Sequence, residues 1–257
     1  MFQEIKAEIS LSALKNNLKQ VITRIGQKKI IAVVKADAYG HGAIAVSKAL
    51  IKTSPQVAML GVASLDEGII LRGAGIRTPI LLMTGCPLES IPELVQYRLT
   101  PAVYNVAMLP RLSRYAKKKG SKIAIHLKVD TGMGRLGISP EEAVGFIQKS
   151  ADLGIAVEGV FSHFADADLA NLAGAWLQLA RLQAISQALK ENEQAPYCHI
   201  ANSAAIIQLE EAHFGHVRPG LMLYGYSPLQ KESPSLHPVM TLKSRVVSLK
   251  RVPAGTA

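Results

Sequence analysis

The chain has 257 residues, 49% of them hydrophobic and 19% charged, which is enough for a full globular core and excludes a disordered or collagen-like chain. Lys and Arg number 29 against 19 Asp and Glu, a formal net charge of +10. The one tight basic run, Lys117-Lys118-Lys119 before Gly120, sits where cations suit a helix C-terminus, and no basic stripe is interleaved with aromatics, so nucleic acid is not the expected partner.

No apolar stretch approaches the roughly 20 residues of a membrane span. The acids in MFQEIKAEIS stand where a signal peptide would carry a basic and then an apolar run, so the expectation is a cytoplasmic protein without membrane attachment. Cys86 and Cys198 form neither a metal spacing nor a disulfide framework and read as two reduced thiols in a packed interior.

In chain order, Ser10 is a fair N-cap for a helix over about Leu11–Ile25. Short apolar runs then recur at Ile30–Val34, Ala58–Ala63, Pro79–Met83, Thr100–Tyr104, Ile123–Val129, Val157–His163, Pro196–Ala201 and Gly220–Tyr224, separated by segments of helical period. The clearest helix runs from about Leu169 to Leu189, with apolar residues at 172, 176, 179, 182, 185 and 189 and Trp176 as a core anchor. Eight such units within residues 1–225 predict an α/β fold, a (β/α)8 TIM barrel. Residues 226–240, with Pro228, Pro234 and Pro238, read as a linker. Thr241–Val252 has strand-forming composition and no helix after it, so residues 241–257 read as padding on the barrel or as the first strand of an incomplete C-terminal β domain.

In such a barrel the functional side chains gather at the C-terminal ends of the strands. Lys35 follows the run Ile-Ile-Ala-Val-Val directly, and a lysine at a strand mouth is a candidate Schiff-base nucleophile, because partial desolvation and nearby cations free its amine. The segment from Lys128 to Gly137 leaves the fifth strand through glycines at 132, 134 and 137; its spacing is neither GxGxxG nor a P-loop, Arg135 could clamp a carboxylate, and an inward Lys128 would need a partner anion. His163, His199, Asn202, Ser203 and Arg218 lie at or just past the last strand ends and converge if the barrel is right. Ser203 and the Gly220 region match the phosphate position usual in barrels, and no HExxH or carboxylate–histidine cluster suggests a metal.

Together AVVKADAYGHG at 32–42, KVDTGMGRLG at 128–137, FSHF at 161–164, HIANSAA at 199–205 and VRPGLMLYG at 217–225 resemble, in order, the pyridoxal-phosphate-dependent alanine racemases. The resemblance implies an isomerase that interconverts L-alanine and D-alanine, with pyridoxal 5'-phosphate as a Schiff base on Lys35 and D-alanine destined for peptidoglycan. It implies Lys35, Arg135 and His163 as the catalytic set. Tyr39, Ser203, Gly220 and Leu221 would hold the cofactor phosphate, Arg218 the pyridine nitrogen with His163 behind it, and Arg135 the phenolic oxygen and the substrate carboxylate. The lysine matching Lys128 is often carbamylated in that family. Its full-length members are expected to be homodimers whose second base, a tyrosine of the partner's β domain, lies shortly after a segment like Val252-Pro-Ala-Gly-Thr256, where this sequence stops; turnover by this chain alone is therefore expected to be impaired. The alternative is a single-domain barrel that carries the cofactor without catalysis, against which the Tyr39-Gly-His and HIANS motifs look like the racemase branch.

Overall fold

The computed structural model of the chain describes residues 5–120, 122–191, 196–229 and 235–256. A first strand, β1 (Ile5–Ile9), leads into helix α1 (Leu11–Ile25). The Ser10 hydroxyl accepts a hydrogen bond from the Ala13 amide at 3.2 Å, and the buried face of α1 presents Leu14, Leu18, Val21 and Ile25 at helical spacing. There follow β2 (Lys29–Val33), α2 (Ala43–Thr53), β3 (Val57–Val62), α3 (Leu65–Gly73), β4 (Ile80–Leu82), α4 (Ile91–Gln96), β5 (Thr100–Val103), α5 (Met108–Lys119) and β6 (Ala124–Lys128). The chain continues through α6 (Ala143–Asp152), β7 (Ala156–Phe161), α7 (Ala173–Glu191), β8 (Tyr197–His199), α8 (Ser203–Gln208), β9 (His216–Val217) and β10 (Met240–Ser244).

Strands β2 to β9 are parallel and pair in the order β8-β7-β6-β5-β4-β3-β2-β9. Just beyond the strand ends the Arg218 amide donates to the Ala201 carbonyl at 2.8 Å, which brings the two edges of the ring together as a (β/α)8 barrel. Alternation along each strand divides two environments. Ile30, Ala32, Ile125, Leu127, Val160, Cys198 and Val217 pack outward into the main core beneath the helices. Ile31, Met59 and Leu81 form a small aliphatic cluster apart from it, and the alternate residues of β6 to β9 include His126, Lys128, Phe161 and His199, all buried. One half of the barrel interior is therefore polar, which needs a hydrogen-bonding reason.

Several expectations need correction. Gly220–Tyr224 is not a strand: the eighth barrel strand is the two-residue β9, and residues 221–224 turn into a 3-10 helix. Pro219 lacks an amide for a ladder, and its carbonyl is taken by the Val33 amide at 3.0 Å. Trp176 is not a core anchor but 45% exposed; α7 starts at Ala173 and turns Ala175, Leu179, Leu182, Ile185 and Leu189 inward. Only Met240–Ser244 of the strand expected over Thr241–Val252 is regular, and it pairs antiparallel with β1, a strand not foreseen. Ahead of it Val239 is buried, and Asn17 on α1 grips His237 through both main-chain groups. The basic run does close a helix: α5 ends at Lys119, and Gly120 caps it in the left-handed conformation at φ 59°. Cys86 and Cys198 are both free thiols, with Cys198 buried. Among the described residues no helix is long and apolar enough to cross a membrane.

Candidate active site

At the C-terminal mouth of the barrel lies a cavity of about 500 Å³. Lys35, Tyr39, Lys128, Arg135, His163, Asn202, Ser203, Arg218, Gly220 and Leu221 all line it, whereas His199, grouped with them from the sequence, is fully buried and does not. Among the lining residues four are cations, Lys35, Lys128, Arg135 and Arg218, and one, Asp168, is a carboxylate. Such a site favours a ligand carrying several negative charges.

Lys35 opens an uncommon piece of backbone. Ala36, Asp37, Ala38 and Tyr39 all have φ between 50° and 55°, one turn of left-handed helix built from non-glycine residues. Each such residue costs roughly 1–2 kcal/mol, so the turn persists only because its surroundings hold it. Glu67 does much of this: its two carboxylate oxygens accept from the amides of Ala36 and Ala63, both at 2.8 Å, tying the residue after Lys35 to the end of β3. Asp37 accepts from the Ala43 amide at 2.7 Å, and the Gly42 amide donates to the Asp37 carbonyl at 3.0 Å. The result places Lys35 and Tyr39 on one wall.

On the opposite wall the loop after β6 wraps around a single carboxylate. Asp130 Oδ1 accepts from the amides of Gly132, Met133 and Gly134, and Oδ2 from that of Arg135 at 3.0 Å. These bonds hold the Asp130 carboxyl below the usual range even though desolvation works the other way. Gln178, on the buried face of α7, braces the loop from behind: its amide donates to the His163 carbonyl at 2.9 Å and to the Thr131 hydroxyl at 3.4 Å. Neither Asp130 nor Gln178 was singled out as an organiser of the site from the sequence. The signal available was a glutamine one residue from Leu179 within an apolar helical face, and an aspartate opening a glycine run.

The cavity floor is Phe161, with Lys128 Nζ 5.0 Å and Arg218 Cζ 5.3 Å from its ring centroid. Lys128 is buried, and desolvation, reinforced by Arg218 and Arg135, lowers its pKa to about 8. Arg218, also buried, is held by its terminal nitrogens: Nη1 donates to His199 Nδ1 at 2.8 Å and to the His199 carbonyl at 2.9 Å, and Nη2 to the Ser162 carbonyl at 2.6 Å and the Ile200 carbonyl at 3.1 Å. His163 Nδ1 lies 3.3 Å from Nη2, and burial with Arg218 beside it lowers the His163 pKa to about 3, so this ring is neutral. With the terminal hydrogens engaged, Nε–H is the donor Arg218 has left to offer.

At the third wall Asn202 caps α8 by accepting from the Ala205 amide, and the adjacent Ser203 hydroxyl accepts from the amides of Gly220 at 3.0 Å and Met222 at 3.3 Å. Gly220 leaves room for Tyr39: a Cβ there would stand 2.7 Å from the Tyr39 hydroxyl oxygen. Tyr39 in turn packs against Tyr224, ring centroids 4.8 Å apart, and the Tyr224 hydroxyl donates to the Val33 carbonyl at 2.9 Å.

Residues 9–228 match the family model described as alanine racemase, N-terminal domain. The chain belongs to the alanine racemase family. It is 41% identical over 257 residues to an alanine racemase of Carboxydothermus hydrogenoformans, covering 97% of this chain and 68% of that protein. Identity to the alanine racemase of Halothermothrix orenii is 43% over 256 residues, with 97% and 67% of the two chains covered. Among solved structures, an alanine racemase of Clostridium difficile 630 superimposes with a TM-score of 0.92 at 36% identity, over 100% of this chain and 68% of that one. The chain thus spans about two thirds of the length of these alanine racemases. Membership of the family supports an amino-acid racemase function, within the isomerases.

Proposed function

We propose that this chain carries the cofactor-binding and substrate-binding barrel of an alanine racemase, interconverting L-alanine and D-alanine with pyridoxal 5'-phosphate joined to Lys35. The observation that carries this reading is the single cavity in which one strand-end lysine faces Arg135 and Arg218, with a tyrosine–serine–glycine corner to one side.

The donor set fits that cofactor. Its phosphate belongs at the corner of Tyr39, Ser203, Gly220 and Leu221, where the absence of a Cβ at Gly220 leaves the Tyr39 hydroxyl in reach. Bound there, the cofactor supplies the electron sink that makes the alanine Cα–H acidic. Lys35 would hold it covalently, and the same amine would take or return the substrate's Cα proton on one face. Arg218 would present its Nε–H to the ring nitrogen and, as an arginine, would keep that proton, which would favour an unprotonated ring nitrogen. Arg135 would receive the substrate carboxylate and the phenolic oxygen, and His163 stands behind Arg218 as a neutral acceptor.

Lys128 is the neighbour that Arg135 needs to be an anion. With a pKa of about 8 a fraction of its amine is neutral at pH 7 and can add to carbon dioxide, forming the N–C bond of a carbamate and releasing one proton to water. In 13C-bicarbonate the chain is expected to gain one carbamate resonance that Lys128→Arg lacks; the same spectrum from both would exclude the modification. Full-length members would work as cytoplasmic homodimers that supply D-alanine to peptidoglycan.

The test of the main reading is direct. Incubated with pyridoxal phosphate, the chain should acquire visible absorbance, and borohydride should fix a pyridoxyl group on the peptide containing Lys35. Lys35→Ala should lose both, and label on any other lysine would overturn the assignment.

A further inference from the structure

The polar half of the barrel interior contains more than the cavity uses. We propose that Tyr197, His126 and His199 form a hydrogen-bonded relay of fixed direction that positions Arg218, with Tyr197 and His126 as positioning residues acting from the far end of the barrel. The link to catalysis rests on the reading above, in which Arg218 meets the ring nitrogen.

The direction follows from what each atom can donate. Guanidinium nitrogens only donate. Arg218 Nη1 lies 2.8 Å from His199 Nδ1, so Nδ1 is the acceptor and the neutral ring carries its proton on Nε2. That Nε2 lies 3.0 Å from His126 Nδ1, which must therefore accept, leaving the His126 proton on its own Nε2. The last atom lies 3.0 Å from the Tyr197 hydroxyl, whose oxygen accepts. Reversing His126 would force His199 to accept at Nε2 and carry a proton on Nδ1, setting two donors face to face at the Arg218 N–H beside a fully buried ring. The guanidinium at one end thus fixes a ring proton two residues along, where the Tyr197 oxygen receives it.

The rings are built into place. Both histidines are fully buried. Phe161 stacks on His199 with centroids 4.9 Å apart and planes at 2°, while Tyr197 meets His126 edge-on at 5.3 Å and stacks on His216 at 3.9 Å. Gly159, inside β7, gives up side-chain packing there, and a Cβ would stand 2.8 Å from the His126 ring. The charged and titratable neighbours are Arg218, Lys128 and His216, with Glu158 near Tyr197; burial and the cations keep both histidines uncharged.

The experiment reads tautomers by long-range 1H–15N correlation on 15N-histidine-labelled chain without cofactor. His126 and His199 should each show a neutral ring protonated on Nε2. In Tyr197→Phe the tautomers, set from Arg218, should stay as they are, while the His126 ring proton loses its acceptor and the Arg218 guanidinium protons exchange with solvent about tenfold faster, the equivalent of one lost hydrogen bond. A His199 or His126 proton on Nδ1 in the parent chain, or unchanged guanidinium exchange in Tyr197→Phe, would overturn the relay. The parent measurement stands even if the variant folds poorly. Fixed tautomers without a pyridoxyl group at Lys35 would keep the relay and remove the cofactor reading; a labelled Lys35 with free tautomers would do the reverse.

Discussion

Replacing Gly137 by alanine is expected to lower stability by about 3 kcal/mol or more and to release Arg135 from the cavity wall. Gly137 sits at φ 138°, a region closed to side chains, and an added Cβ would overlap the Asp130 amide nitrogen and the Val129 carbonyl carbon. Those atoms cannot retreat, because the loop returns onto its own strand there: the Asp130 amide donates to the Ile138 carbonyl at 2.8 Å and the Ile138 amide to the Lys128 carbonyl at 3.0 Å. Relief requires breaking that bridge, and with it the four-amide cup on Asp130. Gly134→Ala is the control. Its φ of 69° is also left-handed, but nothing lies within 4 Å of its Cβ, so the cost should stay near 1–2 kcal/mol with Arg135 in place. Denaturant unfolding of both variants, with cofactor loading alongside, checks the pair, and equal losses would refute the argument.

The second large effect is with pH. His126 has a pKa lowered to about 3, chiefly by burial, and that of His199 is lowered well below its ordinary value for the same reason. In the unfolded chain both return to about 6.5. Between these limits the unfolded state binds more protons, so the stability is complete above pH 6.5 and drains away as pH falls toward 3. His126 contributes a slope of about 1.4 kcal/mol per pH unit, roughly 2 kcal/mol between pH 6.5 and 4.5, and His199 adds a loss of the same sign. Even the first is a sizeable share of a typical domain stability of roughly 5–15 kcal/mol. Urea midpoints should therefore fall steeply from pH 7 to pH 5, before most carboxylates titrate. Midpoints constant across that range would show that the buried rings are already protonated in the fold.

The sequence carried the barrel well where periodicity was strong. Seven of the expected strands lie within a residue or two of β2 to β8, and Leu11–Ile25 is α1 from end to end, because a parallel strand buried on both faces leaves an unbroken apolar run. It failed at β9, where two residues suffice to close the ring and the apolar run Gly220–Tyr224 that follows belongs to a 3-10 helix. Trp176 misled because its spacing fits the helical face while its own turn lies at the mouth, in solvent. The site residues read from motifs, His199 apart, line one cavity, yet the residues that hold them there were invisible. Glu67 binds backbone amides on two other elements and Gln178 donates to a carbonyl and a hydroxyl beyond its own helix, and side chains that act at such distance leave no pattern in their neighbours. The left-handed turn after Lys35 was equally hidden, since alanines at 36 and 38 would be expected in an ordinary helix.

The small sheet outside the barrel joins the first described strand to the last, from Ile5 opposite Ser244 to Ile9 opposite Met240. On a ribosome adding roughly 5–20 residues per second, β1 emerges on the order of tens of seconds before its partner exists. Throughout that interval it is an open template for any passing strand. Lys6 and Glu8, alternating with Ile5, Ala7 and Ile9, charge the waiting strand on one face, and Glu8 later receives both Lys6 and Lys243. The same acid that keeps the newborn strand solitary thus greets its proper mate on arrival.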